Sequence, residues 1–217
     1  MKKINLVYFE KKIDQSFIDN VLTNSENVSI FIKKDGELFS NSKFSDSQKL
    51  EINMKCISLD QNFSNKLIEL IHLVHEIIPS IKTSDLAESQ DYSLQHKGKI
   101  EAVVSSLVNK FSYENKGLLE FVSLLLIRIA RAHAWHNGNK RTAIVSVSKL
   151  LSIFGYYIKW SNNNEHYISE WEEFMYKISG KNDEEDKKLQ NEEKLLIFVK
   201  SKLQQSIWID IRKISIV

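Results

Sequence analysis

Apolar and polar positions follow two different periods along the chain. Through the first 60 residues they alternate roughly every second position, and after Asp60 they recur with the spacing of helices. "INLVYF" (4–9) reads as a short strand. "VSIFIKKDGELF" (28–39) puts Asp35 and Gly36 between two apolar runs, a hairpin signal. "KLEINMKCISL" (49–59) alternates, with Leu50, Ile52, Met54, Cys56 and Ser58 on one side. Residues 14–23 suit a short helix between strands. Residues 1–60 are therefore predicted to form a small β-rich or α+β appendage.

The helical region opens with "FSNKLIELIHLVHEII" (63–78), where Leu67, Ile71, Val74 and Ile78 form one stripe and Pro79 follows. "KIEAVVSSLVNKF" (99–111) gives a second helix. "GLLEFVSLLLIRIARAHAW" (117–135) is apolar nearly all round, which predicts the central buried helix. "KRTAIVSVSKLLSIFGYYI" (140–158) follows, with Gly155 as a C-terminal stop. Segments 166–179 and 184–205 complete the set, the latter with a solvated charged face. The tail 207–217 alternates again and is expected to add a strand to the N-terminal sheet. The fold class predicted is mainly α, a helical domain over 61–206 carrying a small β-rich N-terminal appendage. Between the first two helices, 80–98 is polar and lacks helical periodicity; connections that long are usually functional or disordered.

Composition narrows the class. The chain has 217 residues, 42% hydrophobic and 27% charged, which is ordinary for a globular protein. The longest apolar run, "FVSLLLI" (121–127), falls well short of the roughly 20 residues of a membrane span, and the N-terminus does not read as a signal peptide. The single cysteine, Cys56, allows no intrachain disulfide and fits a reducing cytoplasm; it reads as a small buried or half-buried thiol. A net charge of +2 argues against nucleic acid as a partner. The distribution of charge says more. No Asp or Glu occurs from Phe121 to Asn164, while that stretch holds Arg128, Arg131, Lys140, Arg141, Lys149 and Lys159. It is a local positive field.

"HAWHNGNKRT" (133–142) lies in the middle of that field. His133 falls near the end of the central helix and Lys140 opens the next. Cations are mildly unfavourable in a first helical turn, because the helix N-terminus carries about half a positive charge. A bound anion reverses that balance. Gly138 can take a positive φ without steric cost, and Asn137 and Asn139 tolerate one better than most residues. A turn of that kind ahead of a helix aims successive backbone N–H groups into one concavity suited to phosphate. Lys140 and Arg141 then add charge-assisted bonds, so the pair points to a polyanion, most simply a nucleotide. His133 supplies a proton acceptor for a hydroxyl attacking phosphorus, and Arg128 and Arg131 should keep it neutral. Trp135 reads as core packing, and His136 is assigned no chemistry.

These residues resemble the signature of the Fic/Doc (Fido) superfamily. The Fic form is HPFx[DE]GNGRxxR; the Doc, or death-on-curing, form is closer to HxFx[DN][AG]NKRTA. "HAWHNGNKRTA", with "NKRTAIVSVSKLLSIFGY" after it and "KIEAVVSSLVNKFSYE" (99–114) before it, looks like the Doc branch over residues 63 to about 180. The resemblance implies a Fido-type helical bundle that uses ATP, with Mg²⁺, to modify a hydroxyl of a target protein. It makes His133 the general base. Gly138, Asn139, Lys140 and Arg141 become the anion loop around the phosphates, Arg131 a further phosphate ligand, and 85–98 a flap that clamps the target by strand addition.

The departures from the Fic pattern bear on the chemistry. Asn137 stands where Fic enzymes carry a Mg²⁺-binding acid, and a neutral amide is a weak ligand for a hard cation. Ile144 replaces the second arginine, as in Doc-like proteins. Lys140 replaces the second glycine of GNG and would crowd the AMP-transferring pose, whereas Doc-like proteins present the γ-phosphate and act as protein kinases. No stretch matches the inhibitory helix pattern [ST]xxxE[GN] of Fic proteins; Ser161, Glu165 and His166 come nearest. That points to an antitoxin or other inhibitor in trans. Three functions follow for comparison: a Doc-like phosphotransferase acting as a toxin, a Fic-type AMP transferase, and a degenerate domain that binds nucleotide without transfer.

Overall fold

The computed structural model describes residues 2–9, 16–17, 20–21, 28–32, 38–42, 50–81, 91–114, 116–160, 167–179 and 192–209. Its strands are β1 (Lys2–Phe9), β2 (Val28–Ile32), β3 (Leu38–Ser42) and β4 (Leu50–Ile57) in one sheet, and β5 (Tyr157–Ile158) with β6 (Ile207–Trp208) in another. Its helices are α1 (Gln61–Ile77), α2 (Lys99–Tyr113), α3 (Leu118–Ala132), α4 (Asn139–Ile153), α5 (Tyr167–Ser179) and α6 (Glu192–Ser206). A 3₁₀ turn, Ile78–Ser80, follows α1. The fold is mainly α, a helical bundle with a small β-rich N-terminal part.

The N-terminal sheet has the order β1-β4-β3-β2. β2 and β3 pair antiparallel, as the hairpin signal predicts, although Asp35 and Gly36 lie outside the described residues. β1 pairs parallel with β4. Residues 16–17 and 20–21 are helical, within the short helix expected over 14–23. Cys56 was expected to be buried or half-buried and is not. Cys56 and Ser58 are exposed, while Ile57 and Leu59 pack against the core. The pairing explains this: Ile57 lies beside Phe9, which is buried, so Ile57 shares its inward face.

The sheet is fastened to the helices. Leu6, Phe9, Phe17 and Val21 belong to the same hydrophobic core as the bundle. Val7 N–H donates to the Phe154 carbonyl at 3.1 Å, and the Tyr156 hydroxyl donates to the Val7 carbonyl at 3.3 Å. Gly155 makes that approach feasible: its φ is +88°, and a Cβ there would sit 2.5 Å from the Asn5 carbonyl oxygen. The same positive φ ends α4, as expected of Gly155. The described part of the tail does not join the N-terminal sheet. Ile207 and Trp208 pair antiparallel with Ile158 and Tyr157, because α6 delivers them beside the strand that leaves α4. Residues 210–217 lie outside the described residues.

α3 is the central helix. From Leu118 to Ala130 every residue except Glu120 and Arg128 is buried. Each such large apolar side chain contributes about 1.5–3 kcal/mol on burial, so α3 is the axis on which α2, α4, α5 and α6 pack. α1 begins at Asp60, whose carboxylate accepts from the Phe63 N–H at 2.8 Å, a cap typically worth about 0.5–2 kcal/mol. That start places Leu67, Ile71, Val74 and His75 on the buried face of α1.

Candidate functional site

The apolar pattern extends to Trp135, but α3 stops at Ala132. His133 takes a left-handed conformation, φ 47° and ψ 46°, and is the one non-glycine residue with positive φ among the described residues. The reason is competition for the backbone of 134–136. Trp135 N–H donates to Asn139 Oδ1 at 3.1 Å, and Asn139 Nδ2 donates to the Trp135 carbonyl at 2.6 Å. The Ala134 carbonyl accepts from Gln95 and His96 at 2.8 and 3.0 Å, and His136 N–H donates to the Ser93 carbonyl at 3.1 Å. These bonds replace the last helical turn. A left-handed residue that is not glycine costs of order 1–3 kcal/mol and persists only where its surroundings impose it; such residues cluster at functional sites.

Gly138 caps α4 with φ 82° and ψ −1°, as its place in the turn predicts. The first intrahelical bond runs from Thr142 N–H to the Gly138 carbonyl at 2.8 Å. The N–H groups of Asn139, Lys140 and Arg141 precede it and form the positive end of the helix. His133, exposed, closes the other side of the short loop. The turn, both cations and the imidazole therefore lie within nine residues joining two packed helices.

The side chains expected to hold phosphate are placed differently from one another. Arg141 is half-buried, and its Nη2 donates to the Tyr92 hydroxyl at 2.8 Å. Lys140 carries its ammonium 3.3 Å from the centre of the Tyr176 ring of α5, a cation–π contact. Asn139 was expected at phosphate; its buried side-chain amide clasps Trp135. Arg131 was also expected at phosphate; its Nε donates to the Ile178 carbonyl at 2.7 Å and so ties α3 to the end of α5. Arg128 pairs with Glu192 of α6 at 2.9 Å. Asn137 Oδ1 accepts from the Gly138 N–H at 2.6 Å.

The segment expected to be the flap, 85–98, is described from Asp91 to Gly98. It runs antiparallel to the loop through a bridge between Leu94 and Trp135. Hydrogen bonds from Ser93 to the Asp91 carboxylate, with the nearby His136, hold that carboxyl below its usual range.

Sequence reasoning missed His75. It is 7% exposed and stacks on Trp135 with ring centroids 4.0 Å apart and 12° between planes. Its Nε2 lies 3.0 Å from the Tyr92 carbonyl and its Nδ1 2.8 Å from Thr142 Oγ1. A carbonyl only accepts, so Nε2 carries the proton, and Nδ1 accepts from the threonine hydroxyl. Burial pushes the imidazole pKa down, keeping that neutral tautomer. The signal available was its position: one residue after Val74 and four after Ile71, on a stripe bound for the core.

Residues 59–151 match the model of the Fic/DOC family. The match spans α1, α2, α3, the loop and nearly all of α4, a wholly helical stretch of the mainly α fold. The Fic/DOC-matched segment thus contains His133, Gly138, Lys140 and Arg141, and also His75, Tyr92 and Thr142. All four strands of the N-terminal sheet lie outside it, as do α5, α6, β5 and β6. No curated protein and no solved structure gives a match.

Proposed function

We propose that this protein is a Fic/DOC-type phosphotransferase that moves the γ-phosphate of ATP to a hydroxyl of a target protein. The observation that carries the reading is the left-handed Gly138 turn, which aims the start of α4, with Lys140 and Arg141, beside His133. The Fic/DOC match supports it, since proteins of that family are typically protein-modifying transferases. In this reading the first-turn N–H groups, Lys140 and Arg141 hold the polyphosphate. His133 accepts the proton of the target hydroxyl as its oxygen attacks the γ-phosphorus. The new O–P bond forms as the bond to the β–γ bridging oxygen breaks, and ADP leaves.

Mg²⁺ is an ion that the family generally uses. Among the described residues no group of three His, Cys, Asp or Glu side chains could hold a metal. The Asn137 oxygen is neutral and already accepts a hydrogen bond. A Mg²⁺ here would therefore rest mainly on the nucleotide phosphates, as this ion commonly does. The neutral Asn137 oxygen favours one second reading, a domain that binds nucleotide without transfer. Asn137→Asp would add a hard anionic oxygen. In a Mg²⁺ titration of ATP binding, the aspartate form is expected to bind about tenfold tighter at saturating metal. Equal affinity in both forms would mean that this side chain does not face the metal.

The target belongs on the flap, whose residues 93–96 pair with the loop on one edge; a partner strand would add to the other. A toxin role, with an antitoxin as the inhibitory partner and the cytoplasm as the compartment, belongs to the same proposal. No helix among the described residues is long and apolar enough to cross a membrane.

Phosphate and AMP transfer are separated by label. At the second position of α4, Lys140 fills space that glycine would leave to a phosphate, which favours presentation of the γ-phosphate. With ATP labelled separately at the α- and γ-phosphates, the wild type is expected to pass on only the γ label. Lys140→Gly is expected to pass on some α label as well. Transfer of the α label by the wild type would replace phosphotransfer with AMP transfer.

A further inference from the structure

We propose that Tyr92 is a positioning residue that couples the flap to the phosphate-holding arginine, with His75 and Thr142 as its anchors. The inference rests on the phosphate reading of the α4 N-terminus given above. Tyr92 is the flap residue whose two ends are both held. Its carbonyl accepts from His75 Nε2 at 3.0 Å, and its hydroxyl accepts from Arg141 Nη2 at 2.8 Å. The Arg141 guanidinium carbon also lies 5.3 Å from the centre of the Tyr92 ring. The ring edge packs on Gly138: a Cβ at that glycine would come within 3.1 Å of Tyr92 Cδ1.

The anchor beneath is buried. Thr142, fully buried and next to Arg141 on α4, donates to His75 Nδ1, and His75 stacks on Trp135. Three elements therefore meet at Tyr92: α1 through His75, α4 through Arg141, and the loop through Gly138. A guanidinium has five donors, so one bond to a phenol leaves most of them for phosphate. What the phenol changes is freedom. Arg141 is half-buried at a helix N-terminus, and without a second contact its long side chain would sample several rotamers. Held by Tyr92, its guanidinium plane is set before the anion arrives. The same residue begins the flap segment that bonds to Ala134 and His136, so anything ordering that segment also orders Arg141, and the converse holds.

The test is a double-mutant cycle on wild type, Tyr92→Phe, Arg141→Ala and the double variant, by calorimetric titration with inorganic tripolyphosphate and with ATP. Tyr92→Phe removes one hydroxyl and keeps the ring. It is expected to weaken tripolyphosphate binding about fivefold in the wild-type background and to have no further effect beside Arg141→Ala. A contribution that is merely structural would add in both backgrounds. Amide exchange at Gln95 and His96 is expected to slow on tripolyphosphate binding in the wild type and not in Tyr92→Phe. An additive cycle, or equal slowing in both proteins, would overturn the inference while leaving the phosphate site standing. Absence of tripolyphosphate binding to the wild type would overturn the phosphate reading and this inference together.

Discussion

His133→Gly is expected to yield a protein that is more stable than the wild type and inactive. The two effects have separate causes. His133 sits at φ 47°, where an L-residue with a side chain costs about 1–2 kcal/mol. Glycine removes that cost and gives back about 0.5–1 kcal/mol through its freer unfolded chain, so the net gain is about 0–1.5 kcal/mol. Transfer should fall by about 10²–10⁴, the usual contribution of a positioned general base. His133→Asn is the companion variant: it tolerates the left-handed region, keeps a polar side chain and has no basic nitrogen. Thermal unfolding and transfer rate measured on both decide the matter. A His133→Gly protein that keeps most of its rate would place the base elsewhere. One that melts well below the wild type would mean that contacts of the imidazole, not strain, dominate at this position.

How far the sequence could be read follows from what each feature depends on. The turn was legible because Gly138 advertises backbone freedom locally, whereas the two asparagines expected to share it do not take positive φ. The bundle was legible because α3 is apolar on every side, which admits no solvated face. The end of α3 was not. Nothing in "RAHAW" breaks a helix; the break comes from Asn139 reaching back to Trp135 and from the flap taking the Ala134 carbonyl, both through contacts beyond the helical turn. Arg131 and Asn139 carry the right chemistry for phosphate, yet α5 and the loop backbone engage them first. The burial of Cys56 was misjudged for a similar reason. Alternation gives two faces, and the choice between them is made by Phe9 on the neighbouring strand. His75 looked like an interruption in an apolar stripe, and only the position of Thr142 and Tyr92 around it turns that interruption into a joint.

Gly138→Ala is expected to destabilise the protein by about 2–5 kcal/mol and to abolish tripolyphosphate binding. Two costs combine. Alanine in the left-handed region costs about 1–2 kcal/mol. The added methyl would also lie 3.1 Å from Tyr92 Cδ1, 3.2 Å from Ile78 Cγ2 and 3.3 Å from His75 Cε1. Crowding of that kind in packed surroundings costs about 1–3 kcal/mol. His75 cannot retreat easily, since it is stacked on Trp135 and bonded at both ring nitrogens. Tyr92 is the neighbour that can give, and its movement would release Arg141. Gly98 supplies the control. It caps α2 with the same φ of 82°, and a Cβ there meets nothing within 4 Å. Gly98→Ala should therefore cost only the backbone term, about 1–2 kcal/mol, and should leave anion binding intact. Denaturant unfolding and tripolyphosphate titration of the two variants side by side separate strain from crowding. If both alanines cost the same and both still bind the anion, then the packing of Tyr92, Ile78 and His75 on Gly138 does not hold the site together, and positive φ is all that this glycine provides.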